Sequence, residues 1–192
     1  QQVRTRLAAM PHADSTLFES DFESLPLSAC RQRYDLLLFS ESFQYIPLPD
    51  IFAKSPLLLK PGGGLLICDF FKTEAHCDGA EGDRSFSGGH LLGLFYEGVS
   101  AAPFTLLHDE DITARISPTI ALLDEWLSQR LLPESRWVDI FLSGRYPWLL
   151  SLIKWLARHK LERLSYKYLA GHRSQAVFEK YKSYRLLVLQ LE

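Results

Sequence analysis

The sequence is poor in sulfur, with one methionine and three cysteines in 192 residues. Cys30, Cys68 and Cys77 form no CxxC pair and leave an odd one over, which argues against a disulfide framework and fits a reducing compartment; the expected location is the cytoplasm. No apolar run approaches the ~18 residues that a membrane-spanning helix needs. The polar start Gln1-Gln2-Val3-Arg4 holds no signal-peptide core, and without a Met there position 1 need not be the natural start. Neither sign of charge dominates: 21 Lys and Arg stand against 23 Asp and Glu, so the average composition carries no signature of a nucleic-acid partner. Internal repeats, low-complexity tracts and flexible linkers are lacking too. What is there, 47% hydrophobic and 23% charged residues, is the make-up of one globular domain able to bury a core, and it excludes disorder and collagen-like repeats.

Charge is nevertheless unevenly placed. Residues 145–185 hold ten Lys and Arg against only Glu162 and Glu179, a net +8 that leaves -10 for the rest. A solvated helix face is the ordinary meaning of such a run. Because Tyr146, Trp148, Trp155, Tyr166 and Tyr168 interleave it, an anionic acceptor, an acidic partner or a membrane surface also stays open.

Along the chain, residues 1–10 read as the tail of a helix ended by Pro11, followed by a short strand at Ser15–Phe18 and a loop around Pro26. The run Tyr34-Asp35-Leu36-Leu37-Leu38-Phe39 is continuous rather than alternating, the pattern of a parallel strand covered on both faces. A helix is expected from about Asp50 to Leu59, then a Lys60-Pro61-Gly62-Gly63-Gly64 turn and a buried strand Leu65–Phe71. Strand, helix, turn and strand make a βαβ unit, so the fold class is α/β. Residues 72–90, rich in Gly, Asp and Ser, read as a functional lid or binding loop. Further expectations are a strand at Phe104–Leu107, helices at Pro118–Leu131, Trp148–Tyr168 and Gln175–Tyr181, and a closing strand Tyr184–Leu191.

Four of these pieces carry a resemblance. Ser20-Asp21-Phe22 resembles an acidic turn after a third strand, and Tyr34 to Ser42 a fourth strand with its cofactor-facing end. Leu58-Leu59-Lys60-Pro61-Gly62-Gly63-Gly64 before a strand resembles a family signature, and Phe178 to Leu189 a closing helix and seventh strand. In this order they resemble the latter two-thirds of a class I S-adenosylmethionine-dependent methyltransferase of the small-molecule, type 11 kind. The resemblance implies a Rossmann-like sheet, S-adenosylmethionine as cofactor and a small-molecule acceptor. The Gly-rich first loop and the acidic residue after the second strand have no counterpart. About two strand-helix units, on the order of 60 residues, are therefore expected to be missing at the amino-terminal side. The expected domain plan is a core of residues 1–132 and 180–192, with a helical cap over 133–179 contributing to the acceptor site. In the family the first strand lies beside the fourth, so its absence exposes one edge of Tyr34–Phe39. A homodimer or a partner chain is expected to cover that edge.

The resemblance places Asp21, Phe22, Ser40, Glu41 and Ser42 against the cofactor, at the strand ends where ligands bind in open α/β sheets. The acceptor is expected to meet Tyr45, Phe71, His90, Tyr96 and Tyr146, with His90, after Gly88-Gly89, as a base on an acceptor hydroxyl or amine when the loop closes. A solvent-facing loop histidine is the competing reading. His76-Cys77-Asp78 with His90 matches no compact ligand spacing, so no metal is expected. Asp109 to Asp111 ahead of Thr113 read as helix capping, and Trp126, Trp137, Trp148 and Trp155 as core. Two rivals to the enzyme remain: a noncatalytic binding or assembly protein on the same fold, favoured by the missing Gly-rich loop, and a nucleic-acid methyltransferase.

Overall fold

The structure, a computed structural model, describes residues 16–80, 82, 83, 85–126 and 174–192. Its elements are a single 3-10 turn at Phe22–Ser24, α1 (Leu27–Cys30), β1 (Tyr34–Ser40), a 3-10 turn at Phe43–Tyr45, and α2 (Leu48–Leu58). There follow β2 (Leu59–Lys72), α3 (Leu92–Ala101), β3 (Phe104–Asp111), α4 (Thr113–Trp126), α5 (Gln175–Tyr181) and β4 (Lys182–Leu191). The strands form one sheet in the order β1-β2-β4-β3. β1 and β2 are parallel, joined through α2 as a βαβ unit. β4 runs antiparallel to both β2 and β3, so its amino end lies on the same rim as the carboxyl ends of the other three strands.

One face of this sheet is the core. Alternate residues of β2, namely Leu65, Ile67, Asp69 and Phe71, are all 0% exposed, the period-two pattern of a strand with one fully covered side. The layer above them comes from α2, whose buried Ile51, Ser55 and Leu58 repeat at helical spacing, and from α3, with Phe95 and Val99 one turn apart. Ring contacts among Phe43, Phe71 and Phe95, with centroids 5.1–5.8 Å apart, fill the centre. α3 was not expected from the sequence, although Leu92, Phe95, Tyr96 and Val99 carry the right spacing; the Gly-rich stretch before it obscured its start.

Several expectations need correction. The Lys60–Gly64 turn is instead an arch within β2: Tyr34 pairs with Leu59 and Leu36 with Gly64, so the intervening residues bulge out of the ladder. Lys60 Nζ and Asp35 Oδ1, 2.8 Å apart, tie its base to β1. β1 is not covered on both faces, since Leu36 and Leu38 are 51% and 61% exposed; a continuous apolar run does not say how many layers lie over it. Residues 16–18 form no strand, and the Pro26 loop contains α1. Asp109 to Asp111 belong to β3, α4 starts at Thr113 with Pro118 inside it, and Trp126 is exposed. α5 spans the expected Gln175–Tyr181, and β4 starts two residues before the expected strand. The helix over 1–10, the helix at Trp148–Tyr168, most of the 133–179 cap, and Trp137, Trp148 and Trp155 lie outside the described residues.

The two faces predict contrasting responses. Phe95→Ala is expected to cost about 3–5 kcal/mol of unfolding free energy, because it opens a cavity between sheet and helices. Leu38→Lys should change stability by less than about 0.5 kcal/mol and reduce concentration-dependent light scattering, by placing a charge on an exposed edge strand. Urea titration of both variants measures the first pair of values. Equal, large losses would mean that β1 is buried on both sides after all.

Candidate functional site

The carboxyl rim is where polar side chains gather. Phe22 packs edge-on against Phe39, ring centroids 5.6 Å apart, which draws the Asp21-Phe22 turn to the end of β1 beside Ser40, Glu41 and Ser42. Lys54 fixes that turn, its Nζ donating to the carbonyl oxygens of Phe22, at 3.1 Å, and Glu23. Asp21 opens the turn without capping it, and Ser42 likewise precedes the Phe43–Tyr45 turn without a side-chain bond to it. The Asp21-Phe22 turn is thus brought to the end of β1, and the side chains of Asp21 and Ser42 are not consumed by local caps.

Two further side chains at this rim escaped the sequence reading. Asp69 is fully buried. Its Oδ2 accepts from Gln44 N at 3.1 Å and its Oδ1 from Phe70 N at 2.8 Å, so it fastens the loop after β1 onto β2. Burial pushes its carboxyl above the ordinary aspartate value, against the pull of these donors. An aspartate inside an otherwise apolar strand was the legible signal for it. Tyr184 on β4 donates its hydroxyl to Glu41 Oε1. Burial and then that carboxylate raise the Tyr184 pKa, so the phenol stays protonated. Glu41 itself is held at φ +54°, an unusual conformation for a non-glycine residue and one found at functional turns.

His90 is neither solvent-facing nor free. Its Nε2 lies 3.2 Å from the Phe43 carbonyl, and its ring stands edge-on to Phe43 at 5.6 Å. With Nε2–H donating, Nδ1 is the nitrogen left to accept a proton. The loop reaches this position because Gly88 and Gly89 are both at positive φ; a Cβ on Gly89 would sit 2.8 Å from Phe70 O.

Among the described residues, three clefts along the rim stand out. One of about 390 Å³ lies among Glu41, Tyr184, Phe70, Phe86, Phe178 and Lys182. A larger one, about 690 Å³, lies on the β3 side and includes Tyr96, Asp111, Arg185 and, again, Lys182. The third, about 480 Å³, lies under the Ser87-Gly88 stretch next to Lys72 and His76. The expected acceptor residues do not converge on any one of them. Tyr96 borders the large cleft, with its hydroxyl donating to Asp109 Oδ2 at 2.5 Å; burial and that carboxylate push its pKa to about 12. Tyr45 is 76% exposed and, like His90, borders none of the three. Phe71 belongs to the core rather than to a pocket, because its position on β2 points it under α3. Tyr146 lies outside the described residues.

Charges on the β3 side are largely matched. Arg185 meets Asp109 at 3.0 Å and Asp111 at 3.3 Å. Asp111 also accepts from Ser183 Oγ at 3.0 Å and from Thr113 N at 2.9 Å; Thr113, the expected helix cap, is instead the first residue of α4, its Oγ1 donating to Asp111 and accepting from Tyr184 N at 2.7 Å. Burial works against ionising Asp111, yet these donors and Arg185 outweigh it and hold its carboxyl below the usual range. Asp78 is engaged by Lys180 at 2.7 Å and Tyr181 Oη at 2.9 Å, which removes it from any ligand set with His76 and Cys77. Among the described residues no helix is long and apolar enough to cross a membrane.

No protein-family model matches the sequence, and no curated protein matches it either. Solved structures do match. A protein assigned as a sarcosine dimethylglycine methyltransferase from Galdieria sulphuraria superposes with a TM-score of 0.59 at 15% identity, over 98% of this chain and 63% of its own. Geranyl diphosphate C-methyltransferase from Streptomyces coelicolor A3(2), in complex with Mg2+, geranyl diphosphate and S-adenosyl-L-homocysteine, gives 0.57 at 11% identity, over 100% and 59%. A cyclopropane synthase from Mycobacterium tuberculosis gives 0.62 at 14% identity, over 98% and 65%. The chain therefore has the Rossmann-like fold of the class I S-adenosylmethionine-dependent methyltransferases, and it spans 59–65% of the length of these structures.

Proposed function

We propose that this chain is part of an enzyme that transfers a methyl group from S-adenosylmethionine to an oxygen, nitrogen or carbon of a small-molecule acceptor. The observation that carries the reading is the packing of the Asp21-Phe22 turn against Phe39 at the end of β1, where Ser40, Glu41 and Ser42 follow and Glu41 enters the wall of the cleft it shares with Tyr184. In an open α/β sheet that position, outside the carboxyl ends of the strands, is where ligands bind. The residues present fit the cofactor in part: the Asp21 carboxylate and the Ser42 hydroxyl do not cap the turns they open. Asp21 would accept from the adenine amino group, Phe22 would pack beside the ring, and Ser40 to Ser42 would face the methionine part. A Gly-rich loop is not among this chain's motifs, so this half of the donor site is incomplete.

When bound, S-adenosylmethionine supplies a methyl group on an excellent sulfonium leaving group, so the protein's work is alignment and exclusion of water. Phe70, Phe86 and Phe178 supply the apolar walls for that. Glu41 lies in the cleft wall with Oε1 held by Tyr184, which leaves Oε2 to take a proton from the acceptor. Glu41 is thus better placed than His90, whose ring is anchored under Phe43. The cap over 133–179 would complete the acceptor pocket. A noncatalytic binding or assembly role is the second reading, and the unmatched Gly-rich loop is what favours it.

Calorimetry separates the two readings. The 192-residue chain is expected to bind S-adenosylmethionine weakly or not at all, and a form extended upstream to include a Gly-rich strand-turn-helix to bind it in the micromolar range. Micromolar binding by the shorter chain would move the donor site elsewhere, and no binding by either form would favour the noncatalytic role. In the extended form Asp21→Ala should weaken binding by roughly 0.5–1.5 kcal/mol, the worth of one hydrogen bond. Glu41→Gln should lower kcat/KM for a hydroxyl or amine acceptor by about a hundredfold or more, the usual contribution of a general base. An unchanged rate would remove Glu41 from the chemistry.

A further inference from the structure

The last pair of the β2–β4 ladder is Lys72 opposite Lys182. Directly opposed residues of an antiparallel pair send their side chains to the same face, with Cβ atoms about 4.5–5.5 Å apart, and like charges placed so destabilise the sheet. One member of the pair is also drawn out of water, while Lys72 is half-buried. Lys182 is 1% exposed; its Nζ donates to Gly88 O at 2.5 Å and sits 5.0 Å from the centre of the Phe70 ring. One carbonyl and one aromatic face leave most of an ammonium group's donor capacity unused.

Two other described cations of this rim are matched, Arg185 by Asp109 and Asp111 and Lys180 by Asp78. Among the described residues no carboxylate pairs with Lys72 or Lys182. Burial and then Lys72 lower the Lys182 pKa to about 8. A third nitrogen belongs to the same cluster. His76 Nδ1 is buried and has no hydrogen-bond partner, and burial, Lys72 and Lys182 together lower the His76 pKa. Lys72, His76 and Ser87 border the cleft of about 480 Å³ under the loop. Asp83 is the one carboxylate among its described lining residues, and it pulls His76 the other way.

Two lysines so arranged repel one another and disfavour the protonated form of His76; an oxyanion bound among them turns the repulsion into attraction and favours that protonated form. We propose that Lys72, Lys182 and His76 form an oxyanion-binding subsite, for a carboxylate or phosphate group on a ligand whose apolar body lies in the adjoining cleft between Phe70, Phe86 and Phe178. The subsite stands on this cluster alone. Only the identification of the ligand with the methyl acceptor rests on the reading of the protein as a methyltransferase.

The test is a proton NMR titration of the His76 ring in the 192-residue chain, assigned with His76→Gln, against inorganic phosphate, benzoate and the neutral benzyl alcohol. Among the described residues the facing titratable groups are Lys72 on β2, Lys182 on β4 and Asp83 and Cys77 in the loop, with Glu41 and Tyr184 in the neighbouring cleft. Phosphate or benzoate is expected to raise the His76 pKa by about one unit, because an anion close to it favours its charged form, while benzyl alcohol leaves it unchanged. Stronger binding of phosphate points to a phosphorylated ligand, and of benzoate to a carboxylic acid. Lys72→Met should weaken the anion at least tenfold and Lys72→Arg should largely restore it. Lys72 carries the test because Lys182, fully buried, is a position where substitution endangers folding. No shift with either anion, or the same affinity in Lys72→Met, overturns the proposal. Methyl transfer is not read here, so failure of this subsite and failure of the methyltransferase reading are told apart.

Discussion

β4 runs antiparallel between β2 and β3, and that pairing sets the composition of the functional rim. A parallel strand in its place would present its carboxyl end there. Instead the rim receives the start of β4, so that Lys182, Ser183, Tyr184 and Arg185 interleave with side chains from the ends of β1, β2 and β3. Tyr184 reaches Glu41 across β2, and Arg185 reaches Asp109 and Asp111 on the other side. Lys182 borders both clefts that result. The same strand also supplies Leu187 and Leu189, both 0% exposed, to the centre of the core, so the geometry of the rim is coupled to the best-packed part of the molecule.

Within the rim, satisfied and unsatisfied polar groups are segregated. Asp69 is buried but accepts two backbone N–H bonds, which is how a carboxylate survives inside a sheet. Arg185, Ser183, Asp111 and Thr113 form a closed set of donors and acceptors between β3, β4 and α4. These networks hold the loops in place and have little left to offer a ligand. Lys72, Lys182, His76 and the free oxygen of Glu41 are different. Each lies at a cleft wall with capacity unused, and a fold tolerates such groups where a ligand completes them.

The methyl transfer proposed above would need no dense catalytic constellation, since the cofactor would carry the leaving group and the protein would align and shield it. That is consistent with a rim built from few chemically active side chains among aromatic walls. The structures it resembles are longer than this chain, which spans 59–65% of each. A likeness at 11–15% identity shows the fold, and function lives in the site rather than in the fold. Function therefore has to be read from residues such as Glu41, Lys72 and Lys182.

By itself the sequence determined the elements with strong local signals. The apolar runs at Tyr34–Phe39 and Leu65–Phe71 and the periodic Gln175–Tyr181 fall where their patterns place them, because strand and helix periods are local properties. Ser40 to Ser42 follow the end of β1 as the sequence places them, whereas Asp21 and Phe22 reach that end through the Phe22–Phe39 contact and not through a strand of their own. Only the tertiary structure decided which side chains meet across strands. Phe71 went to the core and His90 under Phe43, while Glu41 met Tyr184, 143 residues away, and Lys72 came to face Lys182 through the ladder register. Periodicity tells a residue which face of its own strand it occupies. It does not tell which strand lies alongside or in which direction that strand runs, and those two facts decide which charges are matched and which are left for a ligand.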